Sequence, residues 1–156
     1  MSFIAETGSG HLATMDGAPE GGGRNLAPRP LEMVLAGTGG CAAYDVVLIL
    51  QRGRHAIDGC EVELVAERAS DDPKVFTSID MQFTVRGRAL NHDAVERAVQ
   101  LSHEKYCSAT AMLSKTAQIT HSVRILDEPL LPKDSAQSSS SASRQGASPI
   151  APEKEA

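Results

Sequence analysis

Aromatic residues are nearly absent: among 156 residues there is no Trp, and there are only two Tyr and three Phe. Rings therefore cannot fill an interior, and any core must be built from Ala, Val, Leu, Ile and Met. Positive charge is also scarce. Fifteen Lys and Arg stand against twenty Asp and Glu, for a net charge of -5 and a pI near 5.5. The basic residues are scattered, which excludes the positive field that nucleic-acid binding needs. The first ten residues have neither a basic start nor an apolar run, so nothing resembles a secretory signal and a cytoplasmic location is expected. Three cysteines, an odd number, argue against a disulfide framework. They leave thiol chemistry, metal binding or simple burial.

What is present fits a small folded protein. Hydrophobic residues make up 41% and charged residues 22%, and 16.5 kDa is the size of one domain. We expect that single domain over 1–130 and a disordered Ser-, Ala- and charge-rich tail over 131–156, where apolar surface is too sparse to bury.

Phe3 and Ile4, a turn at Gly8-Ser9-Gly10 and the run His11 to Met15 predict a hairpin. The Gly- and Pro-rich stretch from Ala18 to Pro30 predicts a flexible loop without regular structure. Pro30 suits the first position of a helix. From Leu31 to Arg52 the chain is apolar on almost every face, which predicts a central helix buried on all sides. Leu31 to Leu50 is long enough to cross a membrane. Glu32, Asp45 and the interspersed glycines make it a core helix instead, and no membrane association is expected. Gly37, Gly39 and Gly40 each weaken a helix by about 1 kcal/mol, so a second backbone is expected to approach just before Cys41.

Cys60, Val62, Leu64 and Ala66 alternate on one strand face. After a turn at Asp71-Asp72-Pro73, Val75, Thr77, Ile79, Met81, Phe83 and Val85 form the inward face of its hairpin partner, with Phe76 facing outward. Asn91 caps a helix through Ser102, a short helix Ser108 to Lys115 follows Cys107, and Ile119 to Ile125 alternate in a last strand.

Cys41 lies in mid-helix after small residues, and Cys107 lies in His103-Glu104-Lys105-Tyr106-Cys107-Ser108. A thiolate needs positive charge or a helix N-terminus, and Cys107 has Lys105, His103 and the next helix start nearby in sequence. The competing reading is burial, the usual state of free cysteine. Cys60 on an inward strand face reads as core, and His121 as a half-buried histidine. No Cys-x-x-Cys or His-x-x-x-His spacing favours zinc. Asp45, one turn after Cys41, would raise a thiol pKa and is given a structural role.

The stretches Pro30-Leu31-Glu32-Met33-Val34-Leu35, Gly39-Gly40-Cys41, Asp45-Val46-Val47 and Leu101 to Ser108 together resemble the OsmC/Ohr family. The resemblance runs from about His11 to Ile125. Glu104-Lys105-Tyr106-Cys107-Ser108 and Met15-Asp16-Gly17 resemble its YhfA-like branch. It implies an α+β fold with antiparallel sheets around a long buried helix, in an intertwined homodimer with both cysteines near the interface. It also implies a thiol-dependent peroxidase that reduces organic hydroperoxides, with Cys41 attacked and Cys107 resolving. The implied reductant is a dithiol such as a lipoyl protein, and no metal or haem cofactor is required.

The matching position for the family's Pro-x-Glu acid is Glu32, which there pairs with an Arg that helps hold the thiolate. Nine residues at about 100° each put Glu32 opposite Cys41 on one helix, so it serves Cys41 only across a helix break or from another subunit. Its other reading is a first-turn acid favoured by the helix dipole. No Arg precedes Arg24, so Arg24 or Arg29, from this chain or a partner, is the candidate cation. Against the family pattern, the start at Met1-Ser2-Phe3-Ile4 implies a downstream start or a smaller dimer sheet. The alternative to an enzyme is a non-catalytic dimer of the same fold that binds a small apolar ligand.

Overall fold

The computed structural model describes residues 1–127; the tail expected beyond 130 lies outside the described residues. Strands β1 (Ser2–Glu6) and β2 (Leu12–Asp16) form an antiparallel hairpin, followed by a single 3-10 turn, Pro19–Gly21. Helix α1 (Pro30–Arg52) then leads to β3 (Ala56–Arg68) and β4 (Phe76–Arg88). Helix α2 (His92–Leu101), a π turn (Ser102–Tyr106) and the short α3 (Ser108–Leu113) precede β5 (Gln118–Asp127). The result is a mixed α+β fold with a two-stranded sheet and a three-stranded sheet ordered β3-β4-β5.

The expectation of antiparallel sheets throughout does not hold. β4 and β5 run parallel, because the α2, π and α3 crossover carries the chain back to the starting end of β4 before β5 begins. Along β4 the expected inward face also changes near its start. Ile79, Met81, Phe83 and Val85 are buried as their alternation predicts, yet Phe76 is buried and Val75 is exposed. Glu67 pairs with Ser78 but Arg68 with Phe76, so Thr77 is an extra residue, and this bulge reverses the alternation before it.

Helix α1 packs on β3 and α2 through its main buried face, with the π turn and α3 along one flank. Thr38, Gly39, Ala42, Val46 and Leu50 are buried there and join Ile79, Met81, Phe83, Val85, Val95 and Val99 in an aliphatic core. Burial on all sides does not hold within one chain, since Leu31, Val34 and Tyr44 are exposed. Composition makes the helix apolar all round, but the elements packed against it leave one side of it uncovered. The glycines divide in the same way. A Cβ on Gly39 would lie 2.5 Å from Leu64 Cδ1, whereas Gly37 and Gly40 face open space. The close neighbour is therefore a side chain, not the second backbone the sequence led us to expect.

The loop after β2 is more organised than its glycines suggest. Asp16 is buried, and its carboxylate accepts backbone N–H bonds from Gly17 (2.9 Å), Arg24 (2.9 Å) and Leu26 (3.1 Å). The 3-10 turn is closed by Gly22, whose φ of 86° lies in the left-handed region that glycine tolerates. The N–H groups of Leu26 and Arg24 hold the Asp16 carboxyl far below the usual carboxylate range, against the opposing effect of burial. A depressed folded-state pKa gives stability that is complete above the unfolded value of 3.8 and is lost as pH falls through the folded value. The wild-type denaturation midpoint is accordingly expected to fall on acidification below about pH 4. Asp16→Asn should have a lower midpoint at neutral pH and a flatter acid limb. Parallel acid limbs in urea titrations would assign the acid sensitivity elsewhere.

Candidate functional site

One flank of α1 carries Cys41 and, one turn later, Asp45, since residues four apart share a helix face. Against this flank the chain brings the π turn and α3. The backbone N–H of Cys107 donates to Ser102 O (2.8 Å), the wide bond that closes the π turn. Cys107 leaves that turn extended (φ -74°, ψ 103°) as the residue before α3. Its carbonyl then accepts from Thr110 Oγ1 (2.9 Å) and from the Ala111 N–H (3.1 Å).

Ser102 joins the two halves. It is buried, and its Oγ lies 3.3 Å from both Ala42 O and Asp45 Oδ2, so a single hydroxyl proton serves two acceptors on α1. The outcome is a compact cluster in which Cys41 Sγ, an Asp45 carboxylate oxygen and Cys107 Sγ all lie within 4.8 Å of one another. Both cysteines are free thiols; Cys41 is half-buried and Cys107 buried. The Cys41 thiol is pushed up, first by burial and then by its hydrogen bond with Cys107, with the Asp45 charge adding to the rise. The backbone N–H of Ala109, at the start of α3, opposes the rise by hydrogen bonding to the Cys41 sulfur.

Cys41, Cys107 and Asp45 thus converge. Glu32 and Arg24 do not join them within the chain. Glu32 is exposed and accepts from the Arg29 N–H (2.9 Å), as a first-turn acid closing the helix start. Arg24 is exposed, and its backbone N–H is committed to Asp16. Neither residue, nor the Arg29 side chain, makes a hydrogen bond or ion pair with a cysteine among the described residues. The neighbours expected to aid Cys107 turn elsewhere. Lys105 Nζ sits 5.4 Å from the centroid of the Tyr106 ring, and the His103 ring lies 5.5 Å from that of His121. The wide π turn alters which side chains point toward Cys107, and the sequence carries no signal for such a turn. His121 is exposed rather than half-buried, although it shares a strand face with Ile119, Val123 and Ile125, which pack against the core. Cys60 stays apart on the core face of β3, where burial pushes its thiol up to about 11. Ser102 and the Ala109 amide were not evident beforehand, since their roles arise from packing across elements far apart in sequence.

A free dithiol on an α+β scaffold of this kind defines a class. The chain belongs to the OsmC family: residues 21–122 match the family profile described as OsmC-like protein. It is 48% identical over 126 residues to Protein YhfA of Escherichia coli, covering 81% of this chain and 91% of that protein. Among solved structures, a hypothetical protein from Aquifex aeolicus is 27% identical with a TM-score of 0.71, covering 82% of this chain and 89% of that one. An organic hydroperoxide resistance protein OsmC from Legionella pneumophila shares the fold at 17% identity and a TM-score of 0.55, over 79% of this chain and 94% of that one.

Proposed function

We propose that this protein is a cytoplasmic, thiol-dependent peroxidase that reduces organic hydroperoxides through Cys41 and Cys107. The observation that carries the reading is the meeting within 4.8 Å of two free thiols that lie far apart in sequence. Family membership adds to it, since some structural neighbours are named for organic hydroperoxide resistance.

The Cys41 thiolate attacks the distal oxygen of R–O–O–H. The O–O bond breaks, the alkoxide takes a proton to leave as R–OH, and Cys41 becomes a sulfenic acid. The Cys107 thiolate then attacks that sulfur, the S–S bond forms, and hydroxide leaves with a proton as water. An external dithiol such as a lipoyl protein restores both thiols by exchange and becomes a disulfide itself. Access supports this order of roles, because Cys107 is buried at 2% exposure while Cys41 is only half-buried. A buried thiol needs a cation to ionise. In this reading the working unit is a homodimer, and a second copy of the chain supplies Arg24, held by Glu32.

The test is the mass and thiol count of the reduced protein after one equivalent of cumene hydroperoxide. Cys41 and Cys107 should be lost together as an intramolecular disulfide while Cys60 remains free. Unchanged thiols would end the proposal. A non-catalytic dimer that binds a small apolar ligand is favoured by a single observation, the upward push on the Cys41 thiol from burial first, then from Cys107 and Asp45. It predicts equally slow peroxide loss in wild type and Cys41→Ser.

A further inference from the structure

We propose that Cys41, Asp45 and Cys107 form a binding site for one Zn2+ ion in the reduced protein. The proposal requires only free thiols and does not rest on peroxidase activity. Spacing along the chain argues against zinc, but the fold replaces spacing with proximity, placing two sulfurs and a carboxylate oxygen within 4.8 Å of one another.

Tetrahedral zinc with Zn–S bonds of about 2.3 Å holds its sulfurs about 3.8 Å apart, so the two sulfurs need to approach by no more than about 1 Å. That is within reach of side-chain rotation at Cys41 and Asp45, which lie one turn apart on α1. Ligand chemistry selects the ion: two thiolates are soft donors that suit Zn2+ and reject Mg2+ and Ca2+, which take oxygen ligands. The surroundings favour a cation as well. Among the described residues Asp45 makes no ion pair with Lys or Arg, and its carboxylate is oriented by the Ser102 hydroxyl at 3.3 Å. A hydrogen bond of this kind fixes a metal-ligating carboxylate in other proteins. On binding, two thiol protons leave for solvent, two Zn–S bonds and one Zn–O bond form, and water takes the fourth position. No electrons move.

The experiment is zinc titration of the reduced full-length chain against a chromophoric zinc indicator, without peroxide. One Zn2+ per chain should be withdrawn from the indicator, with proton release, and Co2+ in its place should give sulfur-to-metal charge-transfer absorption. Asp45→Asn should weaken uptake by about tenfold or more, and the Cys41→Ser/Cys107→Ser double variant should abolish it. A measurement on unaltered protein guards against misfolded variants. Zinc should slow iodoacetamide alkylation of Cys41 and Cys107, mapped by peptide mass, and leave the rate at Cys60 unchanged. Equal alkylation with and without zinc overturns the proposal. So does uptake that survives in the double variant, which would assign the ion to the exposed group His92, Asp93 and Glu96. Because no peroxide is present, failure of the peroxidase reading leaves these outcomes unaffected.

Discussion

Replacing Cys41 with Ser should lower dithiol-driven consumption of cumene hydroperoxide by more than about a thousandfold, because a hydroxyl cannot take the place of the attacking thiolate. The companion variant separates the roles of the two thiols. Cys107→Ser keeps the attacking sulfur, so it should consume one equivalent of peroxide and stop as a sulfenic acid, which dimedone will label at Cys41. The assignment rests on access, since Cys107 is buried and Cys41 is only half-buried. Dimedone labelling of Cys107 in Cys41→Ser, with turnover retained, would reverse it. Both variants should remain folded. Ser is nearly the size of Cys, and at Cys107 the backbone bonds to Ser102, Thr110 and Ala111 do not involve the sulfur.

Gly37→Glu should weaken the proposed dimer by about a hundredfold or more while leaving the isolated chain intact. Gly37, Gly40 and Tyr44 follow helical spacing on the exposed side of α1, opposite the face where Gly39, Ala42 and Val46 are buried. A side chain at Gly37 meets nothing within 4 Å in a single chain. In a monomer the substitution would therefore be neutral, or stabilising by up to about 1 kcal/mol through helix propensity. In a dimer closed over this apolar side it would bury an unpaired charge, at a cost of about 3 kcal/mol or more. Wild type should show a dimeric mass by light scattering. Its apparent stability should fall by about 1.4 kcal/mol for each tenfold dilution. A monomeric mass with dilution-independent unfolding, and a Gly37→Glu variant at least as stable as wild type, would rule the dimer out.

Most elements were legible because their signals are local. Pro30 does open α1, and Asn91 does cap α2 by accepting from the Ala94 N–H (3.1 Å). The alternation of Ile79, Met81, Phe83 and Val85 does give the core face of β4. These positions are set by backbone sterics and side-chain period, which act over a few residues. The bulge at Thr77 escaped that logic, because it depends on how Arg68 pairs across the sheet.

For the site, residue types and spacing determined that Cys41 rides a helix with Asp45 one turn away, that Glu32 points to the opposite side, and that Cys60 belongs to a core face. Only the tertiary structure decided that Cys107 reaches Cys41. That meeting depends on a π turn, on Ser102 bridging to Ala42 and Asp45, and on a crossover that lays α3 against α1. The difference is one of range. Helix period and capping act between neighbours in the chain, whereas the sulfurs approach because burying Val95, Ala98 and Val99 against the core carries the following turn onto the flank of α1.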